Sequence, residues 1–123
     1  MSEAYTRAWQ ASIQEPEVFW SHAAQAVEWF SPPAATWSDA EGWFPGGTLN
    51  TAHNCVDRHV AAGRGDATAL IYDSPVTDTI ARYSYVELLD EVGRVAAMLA
   101  RLGVTRGDRV ILYMPMIPQT VFA

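Results

Sequence analysis

The 123-residue sequence contains no lysine, since all 8 of its basic residues are arginine. A chain without lysine supplies neither a P-loop lysine nor a lysine that forms a Schiff base, so both kinds of site are excluded within these residues. The sequence also has 14 acidic residues, which give a formal net charge of −6. Because the arginines are scattered, the sequence lacks the basic stripe with which proteins bind nucleic-acid phosphates. We therefore expect no nucleic-acid partner.

Cysteine is scarce and long apolar runs are missing. Cys55 is the single cysteine, so no disulfide can form within the chain, which suits a reducing cytoplasm. The sequence has no run of about 18 apolar residues, which predicts that no helix spans a membrane. The first residues lack the charged and apolar regions of a secretory signal. These absences predict a cytoplasmic protein without a membrane partner.

The composition that remains is typical of a folded chain, with 50% hydrophobic and 18% charged residues. The length by itself fits one small domain. The two halves differ, since residues 1–60 carry 2 arginines against 7 acidic residues and contain all five tryptophans, Trp9, Trp20, Trp29, Trp37 and Trp43. We expect a helical and irregular first half, followed by a mixed α/β second half.

In the first half, apolar spacing and proline positions predict three helices, over Tyr5–Ser12, Glu15–Trp29 and Asn50–Ala62. The prolines of Ser31-Pro32-Pro33 are expected to end the second helix, because the residue before a proline avoids the helical conformation. Residues 36–48 are rich in tryptophan, glycine and proline. This composition predicts an irregular aromatic loop that packs on something larger.

In the second half, residues 67–72 and 82–84 are predicted to pair as a hairpin. Ser84 and Glu87 then have the spacing of a capping box, in which each side chain accepts from the other residue's backbone N–H. The apolar stripe that follows (Leu88, Val92, Val95, Leu99 and Leu102) predicts an amphipathic helix. Gly103 is expected to end that helix, because it takes a left-handed conformation without a Cβ penalty.

The last segments predict an incomplete fold. Residues 109–113 form an apolar run typical of a strand buried on both faces, yet no parallel neighbour is evident for it. Pro118 begins a further helix that reaches Ala123 after about one turn, although a helix of that length is marginal alone. We therefore expect an α/β fold that is cut off inside a larger domain.

Residues with reactive side chains cluster mainly at His53, Cys55, Asp57 and His59. On a helix these residues lie on two faces, and no three of them converge as a zinc site requires. A structural helix is therefore favoured over a metal or catalytic site. Pro45-Gly46-Gly47 lacks the flanking strand and the lysine of a phosphate loop, which favours a simple turn.

The remaining candidates also favour structural roles. Ser84 is not part of a G-x-S-x-G nucleophile elbow, so helix capping explains it better than catalysis. Glu87, Asp90 and Glu91 lie at a helix start, where carboxylates interact favourably with the helix dipole. The tryptophans could stack on a ligand, although packing on apolar surface is the more common use. The residues alone therefore indicate no catalytic, cofactor-binding or metal-binding site.

The order of whole motifs carries more information. Arg82-Tyr-Ser-Tyr-Val-Glu-Leu88, then Leu102-Gly-Val-Thr-Arg-Gly-Asp-Arg-Val110, then Tyr113-Met-Pro-Met-Ile-Pro118 resemble the start of an AMP-forming acyl-CoA synthetase. The Met-Pro-Met-Ile-Pro run resembles the short-chain acetyl/propionyl-CoA synthetase branch of this adenylate-forming superfamily. The loop Trp43-Phe-Pro-Gly-Gly-Thr-Leu-Asn50 and the run Asn54-Cys-Val-Asp-Arg-His59 resemble the N-terminal extension of that branch.

The resemblance implies two segments and a two-step reaction. Residues 1–62 would be the N-terminal extension, and residues 63–123 the hairpin, helix and core strand that begin the AMP-binding (adenylation) domain. The enzyme would use ATP, Mg²⁺ and CoA to convert a short-chain carboxylate into an acyl-adenylate and then a thioester. The family's phosphate loop, acyl pocket and C-terminal catalytic lysine would lie beyond Ala123, so no site residue is carried over, and the fragment alone is expected to be inactive.

Two alternatives stay open at this point. The loop Tyr72-Asp-Ser-Pro-Val-Thr77 resembles propionyl-CoA synthetase more than acetyl-CoA synthetase, which favours propionate over acetate as the substrate. The exposed strand edges and the aromatic loop also fit a non-catalytic interaction module that docks a partner. The oligomeric state is not indicated by the sequence.

Overall fold

The structure, a computed structural model, describes residues 2–123. Met1, the first residue of the predicted segment 1–62, lies outside the described residues. The chain divides into two units, Met1–Asn54 and Cys55–Ala123, and each is described by itself. Among the described residues, no helix combines the length and the apolar character needed to cross a membrane.

The first unit opens with two helices, α1 (Glu3–Gln14) and α2 (Pro16–Ala24). Helix α1 begins where the Ser2 side chain accepts from the backbone N–H of Tyr5 at 3.3 Å, a typical N-cap. Helix α2 begins with Pro16 at its first position, where the missing N–H costs no hydrogen bond. Both predicted helices are therefore present, although the second ends earlier than predicted.

Helix α2 ends at Ala24 and not at Trp29, because its last turn tightens. The N–H groups of Gln25, Ala26 and Val27 bond to carbonyls three residues back, at 3.1–3.2 Å, as is common at helix ends. The indole N–H of Trp29 then donates to the carbonyl of Ala24 at 3.0 Å. Helix α2 therefore ends five residues before Trp29, and the Trp29 side chain satisfies the carbonyl at that end.

Residues 36–48, predicted as an irregular loop, contain a short antiparallel pair, β1 (Trp37–Ser38) and β2 (Gly42–Trp43). The pairing extends away from this hairpin through a bridge between Ser31 and Thr48. Between the hairpin and this bridge, the two facing segments are joined by isolated backbone hydrogen bonds, such as the one from the Ala34 N–H to the Pro45 carbonyl at 3.0 Å. Prolines interrupt the ladder because they have no N–H to donate.

The predicted helix over residues 50–62 is present as a helical stretch that includes two π-helical turns, His53–Asp57 and Val60–Arg64. Gly63 lies inside the second turn with a φ of 76°, a left-handed value that glycine adopts without a Cβ clash. A π-helical turn is wider than an α-helical one and occurs mostly in single turns. The prediction of a helix is therefore confirmed, while its regular α-helical spacing is not.

The second unit is built on a hairpin of β3 (Thr68–Ser74) and β4 (Thr79–Ser84). The strands are antiparallel, with Ile71 opposite Arg82 and an irregularity in register between Thr68 and Leu70. Asp78 closes the turn with a φ of 49°, a conformation that aspartate tolerates better than most residues. The predicted hairpin is confirmed.

Helix α3 (Tyr85–Arg101) follows directly from β4. Its capping box is complete, since the Ser84 Oγ accepts from the Glu87 N–H at 3.3 Å and Glu87 Oε2 accepts from the Ser84 N–H at 2.8 Å. At its other end, the N–H of Gly103 bonds to Ala100 and that of Val104 to Leu99. This pattern is a Schellman motif, with Gly103 at a φ of 85°. Both predicted helix ends are confirmed.

Three apolar side chains form the buried core of the second unit: Val56, Leu88 and Phe122. Phe122 belongs to the short helix α4 (Pro118–Phe122), which begins at the predicted proline. Its ring meets that of Tyr83 edge to face, with 5.3 Å between centroids, a favourable aromatic geometry. The core therefore joins the hairpin, helix α3 and helix α4 by a small number of contacts.

The strand predicted over residues 109–113 is not formed in the structure. The segment has no regular secondary structure, and the side chains of Ile111 and Tyr113 are 90% and 100% exposed. A parallel strand needs neighbours on both edges to satisfy its backbone groups. The described residues contain no third strand beside the β3–β4 hairpin, which explains why the run stays unpaired.

The cap of helix α3 yields a first prediction. Substitution Ser84→Ala removes the oxygen that accepts from the Glu87 N–H and lowers the free energy of unfolding by about 1 kcal/mol. Ser84→Thr keeps a hydroxyl at this position and serves as the matched control, with a smaller loss. Urea unfolding followed by circular dichroism measures both. Equal losses in the two variants would contradict the capping role.

Glu87 predicts a pH dependence of stability. The Ser84 backbone N–H, and then the Ser84 hydroxyl, lower the pKa of Glu87 below its ordinary value. A carboxyl with a lowered pKa stabilises the fold above its unfolded pKa, about 4.3, and loses this contribution as pH falls through the folded pKa. Glu87→Gln is therefore less stable than the parent at pH 7, and the difference shrinks toward pH 3. Urea unfolding at both pH values measures it.

The control for this pH series is Glu41→Gln, which removes an exposed carboxylate that caps no helix. Its difference from the parent protein stays near zero at both pH values. A Glu87→Gln difference that is unchanged between pH 7 and pH 3 would rule out the capping carboxylate as the source of the effect.

Candidate functional site

The four residues His53, Cys55, Asp57 and His59 do not assemble into one site. His53 Nε2 lies 2.8 Å from Glu28 Oε2 in the first unit. Cys55 is exposed. Among residues 2–123, no three His, Cys, Asp or Glu side chains are placed to hold a metal ion. The side chains of this part of the chain therefore do not fit a Mg²⁺ or Zn²⁺ centre.

His59 lies instead in a small stack within the second unit. Its ring is 4.8 Å from that of Tyr85, and the Arg64 guanidinium carbon lies 5.8 Å from the centre of the same Tyr85 ring. Arg64 also contacts His59 Nδ1 through Nη2. A guanidinium that donates to Nδ1 requires this nitrogen to be the acceptor. The stack joins the π-helical segment to the start of helix α3.

Asn54 makes a two-point contact that the sequence did not indicate. Its Oδ1 accepts from the Glu28 N–H at 2.8 Å, and its Nδ2 donates to the Glu28 carbonyl at 3.0 Å. The same Nδ2 donates to the Asn50 carbonyl at 3.1 Å, and Asn50 Oδ1 accepts from the His53 N–H at 3.1 Å. An amide side chain has the donors and acceptors to pair with a peptide group in this way. We call this contact the Asn54 clamp.

The Asn54 clamp fixes the segment after helix α2 to the residues that begin the π-helical stretch. The His53 ring adds a second point through Glu28, and it also packs at 5.6 Å from the ring of Phe30. These contacts span about 25 residues in sequence, as from Glu28 to His53. One part of this arrangement has a sequence signal. Asn50 precedes a helical run, where asparagine is a common helix N-cap.

The acidic residues of helix α3 are engaged in local contacts. Asp90 and Glu91 both accept from Arg94, at 2.5 and 2.8 Å. Pairs at spacings of three and four residues are typical of exposed helix faces and stabilise them only weakly. Together with Glu87 in the capping box, these carboxylates do not form the facing pair that acid–base catalysis requires.

The Pro45-Gly46-Gly47 segment is a turn that lies beneath an aromatic ring. Gly46 has a φ of 71°, and the Gly47 N–H donates to the Phe44 carbonyl at 3.1 Å. A Cβ at Gly47 would lie 2.8 Å from the Trp29 ring, closer than packed atoms allow. The second glycine is therefore explained by the approach of Trp29, and the turn does not need a bound phosphate to account for it.

Aromatic rings dominate the first unit. The ring of Trp43 lies 5.0 Å from Trp37, 6.4 Å from Trp20 and 6.0 Å from Phe44, and Trp29 lies 5.6 Å from Phe44. Trp29 and Phe44 also line an open groove of about 540 Å³. The tryptophans thus pack on one another, although Trp37 and Trp43 stay 39% and 46% exposed.

The second unit carries an apolar groove of about 400 Å³ between helix α3 and the unpaired segment 110–114. Met98 and Leu99 line one side, and Val110, Ile111 and Leu112 line the other. The groove has few polar atoms that could orient a ligand, whereas small-molecule sites combine apolar walls with placed polar groups. The groove is therefore better suited to packing against another apolar surface than to catalysis.

Two family models match the chain, one after the other. "Acetyl-coenzyme A synthetase N-terminus" matches residues 5–55, and "AMP-binding enzyme" matches residues 57–123. The first model thus falls on the aromatic first unit, and the second falls on the hairpin, helix α3 and helix α4.

Individual relatives agree with these models. Acyl-CoA synthetase short-chain family member 3, mitochondrial, from Rattus norvegicus is 45% identical over 97% of this chain and 18% of its own length. Acetyl-coenzyme A synthetase from Halorhodospira halophila is 44% identical over 98% of this chain and 20% of its own length. The chain therefore spans about a fifth of the length of these relatives.

A solved structure shares the fold. Acetoacetyl-CoA synthetase from Streptomyces lividans superposes with a TM-score of 0.79 and 36% sequence identity, over 92% of this chain and 18% of that chain. The α/β arrangement expected from the sequence, as a part of a larger acyl-CoA synthetase fold, is thereby confirmed.

The Asn54 clamp yields a third prediction. Substitution Asn54→Ala removes the donor and acceptor that pair with Glu28, and it lowers the free energy of unfolding by about 1–2 kcal/mol. Gln10→Ala, at an exposed amide of helix α1, is the control and changes it by less than about 0.5 kcal/mol. Urea unfolding followed by tryptophan fluorescence reports on this tryptophan-rich unit. A loss no larger than that of the control would refute the clamp.

Proposed function

Because this chain belongs to the AMP-binding enzyme family, we propose that the protein ligates a short-chain carboxylate to CoA at the expense of ATP. The observation that carries this proposal is the succession of two family models along the chain, an acetyl-CoA synthetase N-terminus and then an AMP-binding enzyme. The names of the relatives support the same class of reaction, since they are acyl-CoA, acetyl-CoA and acetoacetyl-CoA synthetases.

The proposed reaction has two steps. A carboxylate oxygen attacks the α-phosphorus of ATP, which forms an acyl-adenylate and releases pyrophosphate. The thiol of CoA then attacks the acyl carbon, which forms the thioester and releases AMP. Mg²⁺ would supply charge stabilisation on the phosphates. The described residues hold no cluster that fits this ion, so we assign no step to side chains of this chain.

We propose propionate as the preferred carboxylate, with acetate as the alternative. The loop over residues 72–77 supports propionate through its resemblance to propionyl-CoA synthetases. The relative named acetyl-coenzyme A synthetase, at 44% identity, supports acetate about as well. We assign no acyl pocket to residues of this chain, so activity measurements with a series of carboxylates have to separate propionate from acetate.

We further propose that the chain is the N-terminal portion of a longer enzyme, with an extension over residues 1–62 and the start of the adenylation domain over residues 63–123. The chain spans 18–20% of the length of these relatives, which supports its assignment as one portion of a longer enzyme. The catalytic and cofactor-binding residues would then lie elsewhere in that enzyme. We place the enzyme in the cytoplasm on account of its single cysteine, whereas the rat relative is named a mitochondrial protein.

The fourth prediction concerns activity. The full-length protein, supplied with ATP, Mg²⁺ and CoA, forms AMP and an acyl-CoA, with a kcat/KM that is higher for propionate than for acetate or butyrate. Coupled detection of AMP together with mass spectrometry of the thioester measures it. The 123-residue chain in the same assay is the control and gives no turnover.

Three outcomes decide between the parts of the proposal. A preference for acetate would replace propionate and keep the reaction class. Absence of AMP and thioester with all three acids would overturn the synthetase assignment. Turnover by the 123-residue chain alone would overturn the placement of the catalytic residues outside it.

A further inference from the structure

The hairpin Trp37–Trp43, which we call the tryptophan hairpin, presents two aromatic rings beside two carboxylates. Trp37 and Trp43 are opposite each other in the strand pair, with ring centroids 5.0 Å apart at an interplanar angle of 64°. Both residues remain partly exposed, at 39% and 46%. Asp39 and Glu41 lie between them, on the exposed tip of the hairpin. The proposed ligase reaction does not use any of these four residues.

Packing holds the ring pair in place from the protein side. The ring of Trp20, on helix α2, lies 6.4 Å from that of Trp43 at an angle of 70°. Asp39 Oδ1 accepts from the Trp37 indole N–H at 3.2 Å. The rings are therefore preorganised, which lowers the entropy cost of binding a partner.

The net charge of the first unit, which carries the tryptophan hairpin, selects the chemistry of that partner. Residues 1–54 contain one arginine and no lysine against six acidic residues. That arginine, Arg7, has its Nη1 3.6 Å from the Glu3 carboxylate on helix α1. Such a unit repels acidic partners and attracts basic ones. A cation is also the group that the face of a tryptophan ring attracts most strongly.

We propose that the tryptophan hairpin binds an arginine side chain in a basic segment of a partner protein. The planar guanidinium would stack on the ring of Trp37 and donate to the Asp39 carboxylate beside it, while Trp43, inclined at 64° to Trp37, would hold that ring in place. A carboxylate has about four lone-pair positions, so Asp39 can accept from the guanidinium while it keeps its bond to the Trp37 indole. Tryptophan and arginine are also the residues that most often dominate the energy of protein interfaces.

The test uses the full-length protein and a fluorescein-labelled hexa-arginine peptide, with binding followed by fluorescence anisotropy. Trp37→Leu and Trp43→Leu keep apolar bulk without an aromatic face. Trp37→Leu is expected to raise the Kd two- to fivefold, the range for an exposed cation–π contact, and Trp43→Leu to raise it less, because Trp43 only supports the stacking ring. Asp39→Asn keeps an acceptor for the indole but removes the charge, and it is expected to raise the Kd at least twofold.

Matched controls separate this site from general charge attraction. Trp9→Leu removes an exposed tryptophan of helix α1, and Glu17→Gln removes an exposed carboxylate of helix α2. Both leave the Kd within about 1.5-fold of the parent value. A hexa-glutamate peptide does not bind, and hexa-lysine binds less tightly than hexa-arginine, because ammonium groups do not stack as guanidinium does. Circular dichroism of each variant checks its folding.

Each other outcome overturns the proposal. Failure of the full-length protein to bind hexa-arginine would mean that the tryptophan hairpin is covered within that protein. Equal weakening by Glu17→Gln would reduce the effect to net charge, and equal weakening by Trp9→Leu would show that the effect is not specific to the tryptophan hairpin. Self-association that is abolished by Trp37→Leu, measured by sedimentation, would identify a second copy of the chain as the occupant. The Asp39→Asn variant keeps the proposal testable if either tryptophan variant is unfolded.

Discussion

The second unit depends on the reciprocal bonds between Ser84 and Glu87. Ser84 is the last residue of strand β4 and the residue before helix α3, so the chain changes direction and conformation at one position. The capping box satisfies backbone donors that both elements leave open there. As a result, Leu88 enters the core one turn later, beside Val56 and Phe122. A core of three buried side chains has little reserve against a misplaced helix.

The features that could be predicted from the sequence are those set by contacts within a few residues. The Ser84–Glu87 box, the glycine at the end of helix α3 and Pro118 at the start of helix α4 are each read from a short pattern. The β3–β4 hairpin belongs to the same class, because its turn is short. Local patterns determine local geometry, and here nothing from distant parts of the chain overrides them.

The features that could not be predicted depend on distant partners or on small geometric differences. Helix α2 ends early in a tightened turn whose Ala24 carbonyl also accepts from the Trp29 indole, and the Asn54 clamp joins residues 26 positions apart. Apolar spacing over a dozen residues does not separate an α-helical turn from a π-helical one. The run over residues 109–113 has strand composition, yet a strand needs a neighbour, and no sequence pattern provides one. No catalytic or cofactor residue was predicted, and the proposal of a ligase rests on family membership.

Asn54 is also a position at which the first unit can change chemically over time, by deamidation. The backbone nitrogen of the next residue can attack the side-chain carbonyl of an asparagine and release ammonia, and water then opens the resulting cyclic imide to aspartate or isoaspartate. Engagement of the Asn54 amide with Glu28 and Asn50 restrains that attack. Once deamidation has occurred, a carboxylate faces the two carbonyl oxygens that had accepted from Nδ2, and the contact turns from attraction to repulsion. The amide that fastens the unit is therefore also the group whose slow hydrolysis would release it.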